Sequence, residues 1–366
     1  MKKGYYYIDC LRAAATYGVI LWHCFSPVYY QFGPIREWAA ANIFFGFAIR
    51  WSVAVFVMIS GALLLRKDEP LAAFYKSRFL RICLPLIAWT ILYGMARLYY
   101  FKVYTYDKQP EPSFWRYVLF DGFKSLFYDR LSYHLYFISI ILGLYLISPF
   151  LGKMVRALSK RELGIFVLIG VGIYSLRLFL PGLILINDFA IGSYLVYFLL
   201  GYYLFTYPPE KKLRMLIYTV AIGAAIGMTW LNYVQEYVHK GHQDINYQTD
   251  GFFVYMLCIG IFVFFQHAIR QSAEGPGILK KLVLFISSNS YGIYIAHPLL
   301  ISFLVYGTFS WFRFSTARFV LTIPGYRLTF FMNNAWGAIV QSLIMMGVLL
   351  VFFYLVKKLR LSRYFT

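Results

Sequence analysis

Residues 38–65 read WAAANIFFGFAIRWSVAVFVMISGALLL, and Arg50 is the one charged residue in this run of 28 positions. A helix of about 20 predominantly apolar residues is long enough to cross the hydrocarbon core of a bilayer. The run lacks the alternation of apolar and polar residues that is typical of a transmembrane barrel strand. It therefore predicts a membrane-spanning helix with Arg50 near its middle.

Apolar blocks of this kind recur along the whole chain. Hydrophobic residues make up 61% of the sequence and charged residues 14%, against roughly 25% charged residues in an average soluble domain. The composition excludes an ordinary soluble enzyme. We predict an all-α polytopic membrane protein with about ten transmembrane helices in one membrane-embedded domain, residues 1–366. The predicted spans are residues 8–30, 38–65, 79–101, 134–151, 163–180, 188–206, 213–232, 250–268, 282–306 and 334–357.

The formal net charge of +20 is distributed unevenly between the two sides of the membrane that these spans define. Both termini and the loops on their side hold 21 basic and five acidic residues, whereas the opposite side is nearly balanced. The positive-inside rule therefore predicts a cell-membrane protein whose N- and C-termini are cytoplasmic. Because membrane insertion accounts for the charge, nucleic acid is not needed as a partner.

The N-terminal block and the cysteines raise two other possibilities that the sequence does not favour. Lys2 and Lys3 precede the first block as in a signal peptide, but the block is long and charged and lacks a convincing cleavage site. We predict that it is a retained helix. The four cysteines lie inside predicted helices without metal-ligand spacing, so we predict neither a disulfide framework nor a metal site.

The first helix contains the most informative polar residues, Asp9, Arg12 and His23. Arg12 and His23 are 11 residues apart, close to three turns, so both point to the same side of a helix. Ionisable groups in hydrocarbon are costly and mark a functional interior by default. These residues are therefore candidate catalytic groups. The alternative is an interfacial ion pair between Asp9 and Arg12, with His23 as a packing residue.

A basic cluster, Lys76, Arg78 and Arg81, precedes and opens the third predicted helix. Two guanidiniums at a helix N-terminus would bind phosphate through fixed charge, fork geometry and the helix dipole. The alternative is an ordinary positive-inside cluster. We treat the three residues as candidates for binding a phosphate-bearing substrate.

Further candidates lie elsewhere in the spans. Arg50 at mid-bilayer requires a polar interior and is a candidate catalytic residue. His134, Tyr291 and His297 are candidate substrate contacts, although His297 precedes Pro298 and has as its alternative the stabilisation of a proline-broken helix. Small residues at Ser60-Gly61 and at Gly223…Gly227 predict close helix packing.

The longest gaps between spans, residues 102–133 and 307–333, are predicted to face outward and are rich in aromatic residues. Trp and Tyr prefer the headgroup region, so interfacial helices are one interpretation. A platform that faces sugar or lipid is the other.

Taken in order, several segments resemble the acyltransferase-3 family of integral-membrane acyltransferases, in its short form without an extra soluble domain. Arg12 and His23 match its signature of Arg, ten residues and His, and Arg78 and Arg81 match its Arg-x-x-Arg motif. Tyr136 departs from the family, which usually has Trp at that position. The matching segments are DCLRAA (9–14), RWSVAVFVMISG (50–61), RFLRICLP (78–85), HLYF (134–137), YFLLGYY (197–203) and SYGIY (290–294).

The resemblance implies transfer of an acyl group, most often acetyl from acetyl-CoA, to a hydroxyl of a cell-surface polysaccharide or its lipid-linked precursor. Acyl-CoA would be a donor substrate, with no permanently bound cofactor. His23 would serve as general base or as an acylated nucleophile, aided by Asp9, Arg12 and Arg50. The alternative is a transporter or flippase for a glycan or lipid-linked sugar, with Arg12 and His23 lining its path. The sequence does not assign an oligomeric state.

Overall fold

The computed structural model of the protein describes residues 5–30, 35–104, 136–179, 190–238, 251–269, 277–306, 312–314, 318–323, 326–331 and 334–366. Its elements are, in chain order, α1 (Tyr6–Tyr30), α2 (Ile35–Phe44), a π-helical turn (Phe45–Ile49), α3 (Trp51–Leu64), α4 (Leu71–Tyr104), α5 (Tyr136–Ala157), α6 (Lys160–Phe179), α7 (Ala190–Thr206), α8 (Lys211–Asn232), a π-helical segment (Tyr233–Val238), α9 (Phe252–Ala268), α10 (Gly277–Tyr306), β1 (Phe312–Phe314), β2 (Arg318–Ile323), β3 (Tyr326–Phe331), α11 (Ala335–Lys358) and α12 (Ser362–Phe365).

Each predicted apolar block lies on helix wherever the structure describes it, which confirms an all-α polytopic membrane protein. Among the described residues, five helices are long and apolar enough to cross a bilayer, and α9 is a shorter apolar helix. The five are Ile35–Leu64, Leu71–Met95, Phe137–Ala157, Lys211–Val238 and Ala335–Lys358. The apolar run 38–65 is interrupted just before Arg50, where the π-helical turn separates α2 from α3.

The helices form two compact units. Unit 1 comprises Met1–Glu69, Ile147–Ser287 and Asn333–Ser342. Unit 2 comprises Pro70–Leu146, Ser288–Met332 and Leu343–Thr366. The candidate residues of α1 and α3 therefore belong to unit 1, and those of α4 and α10 after Ser287 belong to unit 2.

In unit 1, helices α3 and α7 cross in direct backbone contact. A Cβ atom built on Gly61 would overlap the carbonyl oxygen of Phe198, and one built on Gly201 would overlap that of Met58. Between spanning helices, where lipid competes equally well for apolar side chains, such small residues allow the close approach that stabilises a pair. The structure thus confirms the packing predicted at Ser60-Gly61. In the other predicted pair, a Cβ on Gly223 meets nothing within 4 Å, whereas one on Gly227 would lie 3.3 Å from the Phe253 ring of α9.

Helices α4, α5 and α10 contain the interior prolines Pro85, Pro149 and Pro298. Proline removes a backbone N–H and distorts the turn before it, so carbonyls there need other donors when water is absent. In each case a tyrosine hydroxyl from a neighbouring helix donates to the carbonyl three residues before the proline. The pairs are Tyr291 to Ile82 (3.0 Å), Tyr75 to Leu146 (2.8 Å) and Tyr93 to Ile295 (2.8 Å).

Helix α6 begins at a capping box. The backbone N–H of Ser159 donates to a carboxylate oxygen of Glu162 at 2.8 Å, and the N–H of Glu162 donates to the Ser159 hydroxyl at 3.3 Å. Hydrogen bonds from Ser159, from its side chain first and its backbone second, hold the pKa of Glu162 below its usual value. The capping interaction of the ionised Glu162 stabilises the folded protein at neutral pH. This contribution is lost as the pH falls through the lowered pKa of Glu162.

The gap 307–333, which was predicted to face outward, contains strands, so the interpretation of interfacial helices is wrong for this segment. Strands β1, β2 and β3 form an antiparallel sheet in that order, with Ile323 paired to Tyr326 across the last connection. The residues between them are Pro324-Gly325, a turn signal between two runs rich in β-branched and aromatic residues. The other gap, 102–133, lies outside the described residues apart from the end of α4.

We expect Gly201→Ala to lower the free energy of unfolding by about 1–3 kcal/mol, because its Cβ would overlap the backbone of α3. The matched control is Gly223→Ala, which has open space and gains helix propensity. Thermal unfolding in detergent measures both. Equal losses of stability in the two variants would contradict the assigned backbone contact.

Candidate functional site

Helix α1 runs unbroken from Tyr6 to Tyr30 and contains Asp9, Arg12 and His23. Because the helix is continuous, the 11-residue spacing places Arg12 and His23 on one side of it, as predicted. At 1.5 Å per residue, His23 lies about 16 Å farther along the axis than Arg12. The side chain of His23 is half-buried.

At the start of α1, Asp9 and Arg12 are joined through a third residue, Ser287 of α10. The Ser287 hydroxyl donates to Oδ1 of Asp9 at 2.6 Å and accepts a hydrogen bond from Nη1 of Arg12 at 3.3 Å. The direct distance from Arg12 Nη1 to Asp9 Oδ1 is 3.9 Å, too long for a hydrogen bond. The serine therefore bridges the carboxylate and the guanidinium, and both side chains keep about a quarter of their surface exposed.

Arg50 follows the π-helical turn and stacks on an aromatic ring next to His23 in sequence. Its guanidinium carbon lies 3.8 Å from the centroid of the Trp22 ring and 5.8 Å from that of Phe45. Such a cation–π contact is strongest where water is excluded. It stabilises the Arg50 guanidinium inside the predicted span. In unit 1, the Arg50 guanidinium therefore lies against Trp22, the residue that precedes His23.

In unit 2, Lys76, Arg78 and Arg81 lie on α4. Arg78 donates from Nη1 to the Ser77 hydroxyl at 2.8 Å, and its guanidinium carbon lies 5.0 Å from the Phe74 ring centroid. Lys76 and Arg81 are exposed. The three-residue spacing still places Arg78 and Arg81 side by side on the helix.

The expectation that this cluster lies at a helix N-terminus is wrong. Helix α4 begins at Leu71, seven residues before Arg78 and eight before the predicted start. Its unpaired N–H groups are therefore about 10 Å from Arg78 along the axis and cannot help to hold a phosphate there. The earlier start follows from the apolar stretch Leu71–Phe74, which continues the helix beyond the polar cluster. Any anion binding depends on the side chains alone.

Two other cations have structural functions. Arg156 of α5 donates to the carbonyl of Leu65 at 2.8 Å and to a carboxylate oxygen of Asp68 at 3.2 Å, which closes the loop after α3. Arg66 donates to the Tyr5 hydroxyl at 3.2 Å and stacks on Phe205. Because of these contacts, Arg66 and Arg156 are not candidates for binding the substrate.

The predicted substrate contacts on α10 make structural hydrogen bonds. His297 is fully buried, and its Nδ1–H donates at 2.6 Å to the carbonyl of Tyr294, the carbonyl that Pro298 deprives of its helical donor. Tyr291 donates to Ile82, as described above. Both contacts support the stabilisation of proline-broken helices. His134 lies outside the described residues.

Sequence reasoning missed Ser287, which is 278 positions from Asp9. The available signal was the polar run Ser287-Ser288-Asn289-Ser290 inside an otherwise apolar span. Among the described residues, no group of three or more His, Cys, Asp and Glu side chains is placed to hold a metal ion.

Comparison with known proteins gives one match. The family model described as an acyltransferase domain, that of the acyltransferase-3 family, matches residues 5–357. No curated protein and no solved structure matches the chain. The family match covers nearly the full sequence and includes α1 and α4 with their Arg and His residues. The chain therefore belongs to the acyltransferase-3 family of membrane acyltransferases.

Proposed function

We propose that the protein is an O-acyltransferase that moves an acyl group, acetyl in the simplest case, from cytoplasmic acyl-CoA to a hydroxyl of a cell-surface polysaccharide or its lipid-linked precursor. The observation that carries the proposal is α1, one continuous helix with an anchored Arg12 near one end and His23 about 16 Å deeper. A cation near one membrane face and a titratable base inside the span suit a reaction whose donor and acceptor come from opposite sides.

The charge distribution supports the orientation. The excess of Lys and Arg lies on the side of the termini, so that side is assigned to the cytoplasm of a cell membrane. The start of α1 and the basic cluster of α4 then both face the compartment that contains acyl-CoA. CoA carries a pyrophosphate and a 3′-phosphate, which require fixed cations. Arg78, Arg81 and Lys76 are assigned to these phosphates.

His23 is assigned to the chemical step. As a neutral imidazole it takes the proton of the acceptor hydroxyl while that oxygen attacks the thioester carbon. The C–S bond then breaks, the acyl ester is formed, and the proton passes to the departing CoA thiolate. Arg50 is assigned to the negative charge that develops on the thioester oxygen. Attack by His23 itself, with an acyl-imidazole intermediate, gives the same products.

Ser287 is assigned as a positioning residue for Arg12. The ion pair between Arg12 and Asp9 is long, and the serine bridge holds both side chains at hydrogen-bond distance from one hydroxyl. The positive charge of Arg12 is thereby fixed near the N-terminal end of α1, where an acyl-CoA would pass.

We expect His23→Ala to lower the rate of transfer from labelled acetyl-CoA to cell-envelope glycans by at least about 100-fold, the usual contribution of a general base. The control is His267→Ala, because His267 bonds through Nδ1 to the carbonyl of Val263 in its own helix, α9. The assay uses purified full-length protein in liposomes. If His23→Ala retains the parent rate, the assignment of His23 is wrong. If the parent transports glycan without consuming acetyl-CoA, the transporter alternative replaces the enzyme.

We expect Arg81→Ala and Arg78→Ala each to raise the KM for acetyl-CoA roughly tenfold or more, because a charge-assisted hydrogen bond is lost. Exposed Arg161→Ala is the control. Acetyl-3′-dephospho-CoA sharpens the test, since a residue that binds the 3′-phosphate loses its effect with this donor. An unchanged KM in both variants would remove the two residues from the donor site.

We expect Ser287→Ala to raise the KM for acetyl-CoA about tenfold with little change in kcat, and Ser287→Thr to restore it, because only the bridging hydroxyl is needed. Ser342→Ala is the matched control: this serine is also buried and bonds α1, through the Tyr17 hydroxyl at 2.8 Å, but touches no charge. Steady-state kinetics and thermal unfolding are measured together. A loss of stability with unchanged KM would limit Ser287 to packing.

A further inference from the structure

At the end of α1 opposite to Arg12, unit 1 contains a connected row of aromatic rings. The row begins at Tyr233 and Tyr237 on the π-helical segment, whose half-buried rings are nearly parallel, with centroids 5.9 Å apart. It then continues inward to the pair of Trp22 and Arg50. Successive centroid distances are 5.3 Å from Tyr237 to Trp38, 5.7 Å from Trp38 to Tyr29, 4.6 Å from Tyr29 to Phe45 and 4.9 Å from Phe45 to Trp22.

The elements that carry these rings also contain three buried polar residues, each with at most 2% of its surface exposed: Asn42, Asn232 and, four residues after Asn232, Glu236. The Asn232 amide donates to the Tyr29 hydroxyl and, at 3.1 Å, to Oδ1 of Asn42. Its own oxygen, Oδ1, is buried and has no hydrogen-bond partner in the part of the chain that the structure describes. Leaving such an acceptor unsatisfied costs about 1–3 kcal/mol.

The backbone near these residues departs from α-helical geometry at two places. Phe45 begins one π-helical turn, and Tyr233, Glu236 and Tyr237 belong to the other segment. π-helical insertions are uncommon and are found most often at functional sites, where they redirect side chains. Here they supply Tyr233 and Tyr237 at one end of the row, Phe45 next to Trp22 near the other end, and the Glu236 carboxylate between the two tyrosines in sequence.

We propose that the half-buried rings of Tyr233 and Tyr237, together with Asn232 and Glu236, form the subsite for a sugar ring of the acceptor glycan. Aromatic faces bind the C–H face of a sugar, and amide and carboxylate oxygens accept hydrogen bonds from its hydroxyls. A lipid acyl chain has no donor for the Asn232 oxygen, so a hydroxyl-rich ligand is the occupant that these residues suit. The inference rests on the proposed function and adds where the acceptor is held.

The position of the subsite agrees with the chemistry assigned to α1. Tyr29 follows His23 by six residues, about 9 Å along the helix axis. The row of rings ends at Trp22, which carries the Arg50 guanidinium. A glycan held by the subsite therefore lies on the side of His23 opposite to the donor.

The test compares the acceptor dependence of Tyr237→Ala and Glu236→Gln with that of the parent, at saturating acetyl-CoA, with cell-envelope glycans of the source cells as acceptor. We expect the half-saturating glycan concentration to rise tenfold or more in both variants while the KM for acetyl-CoA stays the same. Tyr237→Phe, which keeps the ring, should retain the parent value. The matched control is Tyr207→Ala, from another tyrosine pair four residues apart in unit 1, Tyr203 and Tyr207, with centroids 5.4 Å apart.

Thermal unfolding identifies any variant that fails to fold. If Glu236→Gln fails to fold, Tyr237→Ala still decides the test, because Tyr237 is half-exposed. If the parent transfers acetyl groups and Tyr237→Ala has the parent's acceptor dependence, the subsite is overturned and the proposed function stands. If Tyr237→Ala and Tyr207→Ala weaken acceptor dependence equally, the subsite is also overturned. If the parent transfers nothing to these glycans, the proposed function fails and the subsite falls with it.

Discussion

Hydrocarbon has no hydrogen-bond donors or acceptors, so each polar group inside a spanning helix must find its partner within the protein. The tyrosines that bond the carbonyls before Pro85, Pro149 and Pro298 meet this constraint for the backbone. Arg50 meets it by stacking on Trp22, and Asp9 and Arg12 meet it through Ser287. The same constraint explains why Gly61 and Gly201 matter, since helices without a hydrophobic drive to associate depend on close backbone contact.

This accounting divides the polar residues by function. Arg156, Arg66, Tyr291 and His297 use their donors to close loops and to stabilise interrupted helices. Arg12 pairs with Asp9 at 3.9 Å, is bridged to it by Ser287, and shares one side of α1 with His23. In the proposed function, most of the +20 charge orients the protein and a small number of arginines bind the substrate.

The helical fold and the position of Arg12 and His23 on one side of α1 could be predicted from the sequence, because both depend on local properties: apolar runs of spanning length and an 11-residue spacing on one helix. The bridge through Ser287 could not, since it joins residues 278 positions apart and depends on how α10 packs against α1. The sequence places the start of α4 too late. The basic cluster of Lys76 and Arg78 suggests a helix end, but Leu71–Phe74 extend the helix past it. The sequence also does not predict the two π-helical segments. One inserted residue shifts the phase of a helix, but the shift leaves no clear signal in spans that are apolar on nearly all sides.

The central claim is that an acyl group crosses from a donor on the side of the termini to an acceptor on the other side, and sealed vesicles test it directly. Inverted membrane vesicles expose the cytoplasmic face, and cell-envelope glycan is enclosed in their lumen. Labelled acetyl-CoA is then added outside. The account predicts that label appears on the enclosed glycan, with none when His23 is replaced by Ala. Label only on glycan supplied on the same side as acetyl-CoA would contradict it.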